Sequence, residues 1–276
     1  IRDRSSSPPK SMHLRCVGCC SKCPNSDRFA SDSVDVNREV TVLSIQNRHR
    51  LIVAIDEPDE DGAMTLIHSL GASVTWLKIG MTLYYRSGAP LIKRLVDDGW
   101  NIFLDLKCHD IPHQVAGAVS SIAELGVGLI TVHTAGGGAM LEAAATAAQG
   151  SGAKVLGVTV LTSMDQALLQ GTGVDRDSEA LVRARTKLAL GSGLDGVVAS
   201  PLEAKLVSSL VPADFEIVTP GIRPPGATRD DQKRIATPES AIKSGATRLV
   251  VGRPITRAPQ PAIAASAILS QIQSAT

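Results

Sequence analysis

The segment Phe103-Leu-Asp-Leu-Lys-Cys-His-Asp-Ile-Pro112 sets Asp105, Lys107 and Asp110 in a D-x-K-x-x-D spacing. Residues two apart on a strand point the same way, so Asp105 and Lys107 are expected to face one interior together. Asp110 follows on a loop, from which it can reach either this pocket or a neighbouring subunit. Like charges taken out of water are costly unless a counter-ion lies between them, so an acid–base–acid row with Lys78 nearby is electrostatically sound. Such a row can stay fully ionised and still be preorganised, the condition for electrostatic catalysis. The plainer alternative is an ion-pair network that only plugs one end of the fold.

A second group reads as an anion site. Val250-Val-Gly-Arg-Pro254 places Gly252, whose backbone can approach a ligand closely, beside Arg253, which can hold a phosphate through two hydrogen bonds. Other candidates carry less. Cys108 beside His109 suggests a nucleophile, but neighbours on a strand end point apart and no third group is placed to orient them. His133 is expected to hydrogen-bond within the core. Gly136-Gly-Gly138 reads as a permissive turn before a helix rather than as a phosphate loop. Cys16, Cys19, Cys20 and Cys23 form a C-x2-C-C-x2-C cluster whose thiolates could close around zinc. Nothing flanking the cluster could pack around such a site, and no metal is assigned.

The elements that must position these residues form a regular rhythm. Short apolar, β-branched runs recur at Leu51 to Ile55, Val74 to Ile79, Asn101 to Leu106, Leu129 to Val132, Lys154 to Val160, Gly196 to Ala199, Glu216 to Thr219 and Arg248 to Val251. Amphipathic stretches follow them: Asp61 to Leu70, Pro90 to Asp98, Val115 to Leu125, Ala139 to Ala148, Ser178 to Ser192, Pro201 to Ser209, Pro238 to Ser244 and Ala262 to Ser274. Glycines such as Gly71, Gly99, Gly126 and Gly245 fall where helices should stop. Continuous apolar strands alternating with helices imply a parallel sheet covered on its outside. Eight such units predict an α/β fold, a (β/α)8 TIM barrel filling residues 51–276 as one domain. Asp56, Lys78, Asp105, Lys107, His133, Thr162, Arg223 and Arg253 then fall at or just beyond the C-terminal ends of strands, where barrels assemble their sites. A doubly wound open sheet would give the same alternation, and the placement of these polar residues favours the barrel.

Composition bounds the rest. The first fifty of the 276 residues hold nine Lys/Arg and five Asp/Glu, so with a formal charge of +1 for the chain, residues 51–276 carry −3. That leaves no electrostatic footprint for nucleic acid. Residues 1–50, rich in Ser, Arg, Asp and Asn and without sustained periodicity, read as a disordered N-terminal extension. No apolar run approaches the roughly 18 to 20 residues of a membrane span, and no secretory leader is recognisable, so a cytoplasmic protein is expected.

Taken in order, Asp56, Leu77-Lys-Ile-Gly80, the D-L-K-C-H-D-I-P segment, Val158-Thr-Val-Leu-Thr-Ser163, Val218-Thr-Pro-Gly-Ile-Arg-Pro224 and Val251-Gly-Arg-Pro254 resemble the bacterial type of the orotidine 5'-monophosphate decarboxylase family. The resemblance runs from about Leu51 to the C-terminus. It implies a cofactor-free enzyme that converts orotidine 5'-monophosphate to uridine 5'-monophosphate and CO2, the last step of de novo UMP synthesis. It implies a homodimer in which Asp105, Lys107 and Lys78 of one chain meet Asp110 of the other. Lys107 would give a proton to C6 of the pyrimidine. Asp105, set against the substrate carboxylate, fits either ground-state strain or a charge array favouring the C6 carbanion, the latter with fewer assumptions. Asp56 and Lys78 would hold ribose hydroxyls. Thr162, with Ser163, would face the pyrimidine or ribose, and Ile111 would touch substrate. Arg223 and Gln232 would close over the phosphate held by Gly252 and Arg253; without the resemblance they read as a solvated polar loop. Gly221, Pro224, Pro225 and Gly226 suggest a mobile lid there.

Two rivals stand beside this reading. Magnesium-dependent sugar-phosphate decarboxylases and aldolases of the same superfamily share the D-x-K-x-x-D array and need a further carboxylate, for which Glu57 is the nominee. A silent phosphate-binding barrel is the third possibility, and the charge array is what it would have no need to maintain.

Overall fold

Strand residues divide by parity. On β1 (Leu51–Ile55), Leu51, Val53 and Ile55 pack outward in one large apolar core, whereas Ile52 and Ala54 belong to a second, separate cluster. That second cluster takes Trp76 from β2 (Trp76–Gly80), Phe103 from β3 (Asn101–Cys108), Leu129 from β4 (Leu129–His133) and Leu156 from β5 (Lys154–Val158). Val198 of β6 (Gly196–Val198), Val218 of β7 (Glu216–Thr219) and Val250 of β8 (Arg248–Val251) complete it. Two apolar faces on every strand require a sheet covered on one side and closed on itself on the other.

The computed structural model, which describes residues 47–224 and 236–275, has that form: all eight strands pair in parallel, β1 to β2 and onward, and β8 closes on β1. The outer layer comprises α1 (Glu60–Leu70), α2 (Met81–Asp97), α3 (Pro112–Ala123), α4 (Gly138–Ala148), α5 (Gln166–Gly171), α6 (Ser178–Gly191), α7 (Ala204–Ser208), α8 (Pro238–Lys243), α9 (Arg253–Thr256) and α10 (Pro261–Gln273). Aspartates cap several of them: Asp59 accepts from the Gly62 N–H at 2.9 Å, and Asp177 from the Ala180 N–H at 2.9 Å.

The eight expected strands are all present, with end shifts of one or two residues. Three departures have local causes. Helix α2 begins at Met81, nine residues before the expected start, because the backbone turns at Gly88 (φ 66°) and resumes at Pro90; the Gly/Pro pair read as a helix start is a kink between two helical segments. Helices α5 and α9 are short insertions in βα loops that no periodicity announced. Finally, β3 runs to Cys108 rather than Leu106, through an irregularity that shapes the site.

Below the lumen's apolar layer the strands turn polar. Buried Glu216 receives Lys154 Nζ at 2.9 Å, Arg248 Nη2 at 3.1 Å and Thr247 Oγ1 at 2.7 Å. The Arg248 guanidinium also lies 4.5 Å from the Trp76 ring centroid. Burial pushes the Glu216 carboxyl up, but the hydrogen bonds from Arg248 and Lys154 outweigh it and bring the pKa to about 2. This floor closes the N-terminal end of the barrel.

Candidate active site

Moving two residues toward the C-terminal end from five of the lumen residues leads from an apolar side chain to a polar position or a glycine: Ala54 gives Asp56, Trp76 gives Lys78, Phe103 gives Asp105, Leu129 gives Thr131 and Val250 gives Gly252. The pleat therefore delivers the expected residues to one place. A cavity of about 420 Å³ opens there, lined by Asp56, Lys78, Asp105, Lys107, Thr162, Arg223, Gly252 and Arg253 together with apolar residues of the strand ends. Its size suits a small-molecule ligand.

The charges alternate in space. Lys78 Nζ lies 3.0 Å from Asp56 Oδ1 and 3.9 Å from Asp105 Oδ2. Lys107 Nζ lies 2.9 Å from both Asp105 oxygens. Two carboxylates and two ammonium groups thus form one row, Asp56–Lys78–Asp105–Lys107, in which the Lys78 and Asp105 side chains are only 12% and 13% exposed. Gly80 leaves room for it: a Cβ there would stand 3.2 Å from Lys78 Nζ.

Asp105 and Lys107 do converge, but simple strand alternation is not the reason. From Ile130 to Val132 β4 advances two residues while β3 advances four, from Leu104 to Cys108. Asp105, Leu106 and Lys107 form the resulting bulge, and Lys107 has φ 52°, the one positive φ outside glycine among the described residues. Thr131 stands opposite: it accepts from the Lys107 N–H at 2.9 Å and donates to Asp105 Oδ1 at 2.9 Å. The sequence reading missed Thr131, although its lumen-side position two residues after Leu129 was the available signal.

At the opposite wall Arg223 is buried, at 7% exposure, with Nη1 donating to the Ile222 carbonyl at 2.9 Å. It is a fixed cation of the cavity rather than part of a solvated loop. Arg257 also lines this wall and was not anticipated. Gln232 and the expected lid residues Pro225 and Gly226 lie outside the described residues, as do the four clustered cysteines.

Two expected site residues are not brought into this chain's cavity. Asp110 is exposed, its Oδ1 accepting from the Ile111 N–H at 2.6 Å, and Ile111 is 63% exposed. Met81 and Tyr85, on the first turns of α2, are exposed as well. Cys108 and His109 form no dyad: burial pushes the Cys108 thiol up, and the His109 ring stacks on His133 at 5.2 Å. His133 bonds locally instead of into the core, its Nδ1 accepting from the Ala135 N–H at 3.2 Å. Desolvation, then the positive charge of Arg185, lowers its pKa to about 4. Gly137, at φ 83°, makes the turn between His133 and α4. Among the described residues no three His, Cys, Asp or Glu side chains gather as a metal site, and no helix is long and apolar enough to cross a membrane.

A closed eight-stranded barrel whose ionisable side chains converge in a cavity at the C-terminal ends of its strands has the architecture of a TIM-barrel enzyme. Comparison with known proteins is specific. The model of the Orotidine 5'-phosphate decarboxylase / HUMPS family matches residues 49–268, and the chain belongs to that family. It is 48% identical over 226 residues to a Bradyrhizobium protein named orotidine 5'-phosphate decarboxylase, covering 82% of this chain and 92% of that one. It is 44% identical over 227 residues to the protein of that name from Nitrosospira multiformis, covering 82% and 95%. Among solved structures, orotidine 5'-phosphate decarboxylase from Lactobacillus acidophilus superposes with a TM-score of 0.72 at 38% identity, over 80% of this chain and 98% of that one.

Proposed function

We propose that this chain decarboxylates orotidine 5'-monophosphate to uridine 5'-monophosphate without metal or organic cofactor. The observation that carries the reading is the Asp56–Lys78–Asp105–Lys107 row in the cavity, in a chain 44 to 48% identical to proteins named for that reaction. The C6–carboxylate bond breaks, its electron pair stays on C6, and CO2 leaves. The Lys107 ammonium delivers a proton to C6 and is recharged from solvent. A fixed ammonium beside the developing carbanion stabilises it without reorganisation, because Asp105 and the bulge already hold it in place. Asp105 meets the substrate carboxylate and, within the charge row, holds Lys107 where the C6 carbanion develops.

Arg223, Gly252 and Arg253 take the phosphate, with Gln232 closing over it, and Asp56 and Lys78 take ribose hydroxyls; Thr162 faces the nucleoside. Binding energy from the unreactive phosphate then serves to hold the pyrimidine at Lys107. Asp110 and Ile111 act from the partner subunit of a homodimer. In support, both are exposed on this chain and neither lines its own cavity.

Glu57 lines the cavity next to Asp56 and keeps one rival in play, a magnesium-dependent reaction on a sugar phosphate. The deciding measurement is loss of orotidine 5'-monophosphate absorbance by EDTA-treated protein, with Lys107→Ala beside it. Metal-independent turnover that the variant lacks is the expected result. Turnover only with magnesium would overturn the metal-free reading, and none under either condition would leave the sugar-phosphate branch or a binding barrel.

A further inference from the structure

Lys107 has a backbone conformation that non-glycine residues rarely adopt, and the bulge takes the Lys107 N–H out of the regular β3–β4 ladder. What receives that N–H is the Thr131 hydroxyl, on a side chain that is fully buried. The same oxygen carries a proton, and Asp105 Oδ1 accepts it at 2.9 Å. Both directions are determined, since a backbone N–H only donates and a carboxylate only accepts. One hydroxyl therefore ties the backbone of one charged residue to the carboxylate of the other. Thr131 stands behind Asp105 and is not part of the cavity wall.

We propose that Thr131 is a positioning residue for the charge row: its hydroxyl holds the bulged backbone of Lys107 and the carboxylate of Asp105 in the relative placement that chemistry at the cavity requires. It touches no reacting atom. Its effect passes through Asp105 and Lys107, so it should appear in the chemical step and not in the binding of phosphate or ribose, which other strands hold. Small displacements of a reacting group cost roughly 10²-fold in rate, and that is the scale expected here. The proposal rests on the decarboxylase reading above.

The test compares Thr131→Val, which keeps the shape and removes both hydrogen bonds, with Thr131→Ser, which keeps both. Steady-state turnover of orotidine 5'-monophosphate, titration with uridine 5'-monophosphate and thermal melting are measured on each. Thr131→Val is expected to lose about 10²-fold in kcat, with KM and product affinity within about threefold of the parent protein, while Thr131→Ser recovers most of the loss. Should the valine variant not fold, Thr131→Ala must show the same split between kcat and KM. Unchanged kcat in the variant lacking the hydroxyl overturns the proposal. So does a serine variant as impaired as valine, or a loss of kcat, KM and melting temperature together. A parent protein that does not decarboxylate the nucleotide at all removes the underlying reading and this inference with it. An active parent with an equally active valine variant removes only the inference.

Discussion

The Lys107 ammonium lies 2.9 Å from both carboxylate oxygens of Asp105. A carboxylate met symmetrically by one cation, with Lys78 3.9 Å from Oδ2 on its other side, is part of a unit and not an isolated pair.

Groups acting as a unit give non-additive losses. Asp105→Ala and Lys107→Ala are each expected to lower kcat/KM by on the order of 10³-fold or more, and the double variant by little beyond the worse single. The check is a double-mutant cycle on kcat/KM for orotidine 5'-monophosphate. Losses that multiply would mean that the two residues contribute independently, against the geometry.

Asp110 leads to a different experiment. Because its carboxylate is exposed and turned onto the Ile111 N–H, it contributes nothing to its own chain's cavity. If the partner's Asp110 completes each site, Lys107→Ala and Asp110→Ala protomers mixed and allowed to exchange should regain activity. One of the two sites in each mixed dimer is then intact, so about one quarter of parent activity is expected from equal mixing. Two inactive variants that stay inactive after demonstrated subunit exchange would return Asp110 to the surface.

Most of the barrel was legible because parallel strands covered on both faces must be apolar along their middles, which leaves ionisable residues to their two ends. Asp56, Lys78, Asp105 and Gly252 follow lumen residues by two, a spacing visible in the sequence. The bulge at Lys107 was not legible, since two surplus residues on β3 preserve the apparent agreement between Asp105 and Lys107 while changing its cause. Thr131 was hidden for a related reason: a β-branched residue inside a strand reads as an ordinary strand former until the register shows what faces it. Arg223 was expected at the site, but its burial was hidden by Pro- and Gly-rich surroundings that look like exposed loop.

His133 should stay neutral far below the usual histidine range. Its pKa is lowered to about 4 in the fold, first by desolvation and then by Arg185, against an unperturbed 6.5. The unfolded chain thus binds more protons between those values, so the stability contributed by neutral His133 is complete above about pH 6.5 and lost as pH falls toward 4. NMR titration of the ring should give a midpoint near 4, and His133→Asn should flatten the stability–pH curve in that window. A midpoint near 6.5 would contradict the packing described for the His109 stack.

Glu216 works in a lower window and at the other end of the barrel. Its folded pKa of about 2 lies below the ordinary carboxyl value of 4.5, so the contribution is present above about pH 4.5 and disappears as pH falls toward 2. The shift corresponds to at most roughly 3 kcal/mol, less whatever solvent reaches the half-exposed Lys154. Replacing it by glutamine strands Arg248 over Trp76 with a neutral partner. Glu216→Gln should therefore lower the urea midpoint at pH 7, and the gap to the parent protein should close as both are taken below pH 4. Because the network lies beneath the apolar lumen layer and away from the cavity, kcat of the folded variant should stay within about twofold of the parent. A stability gap independent of pH would show that packing of the Glu216 side chain matters there, and its charge does not.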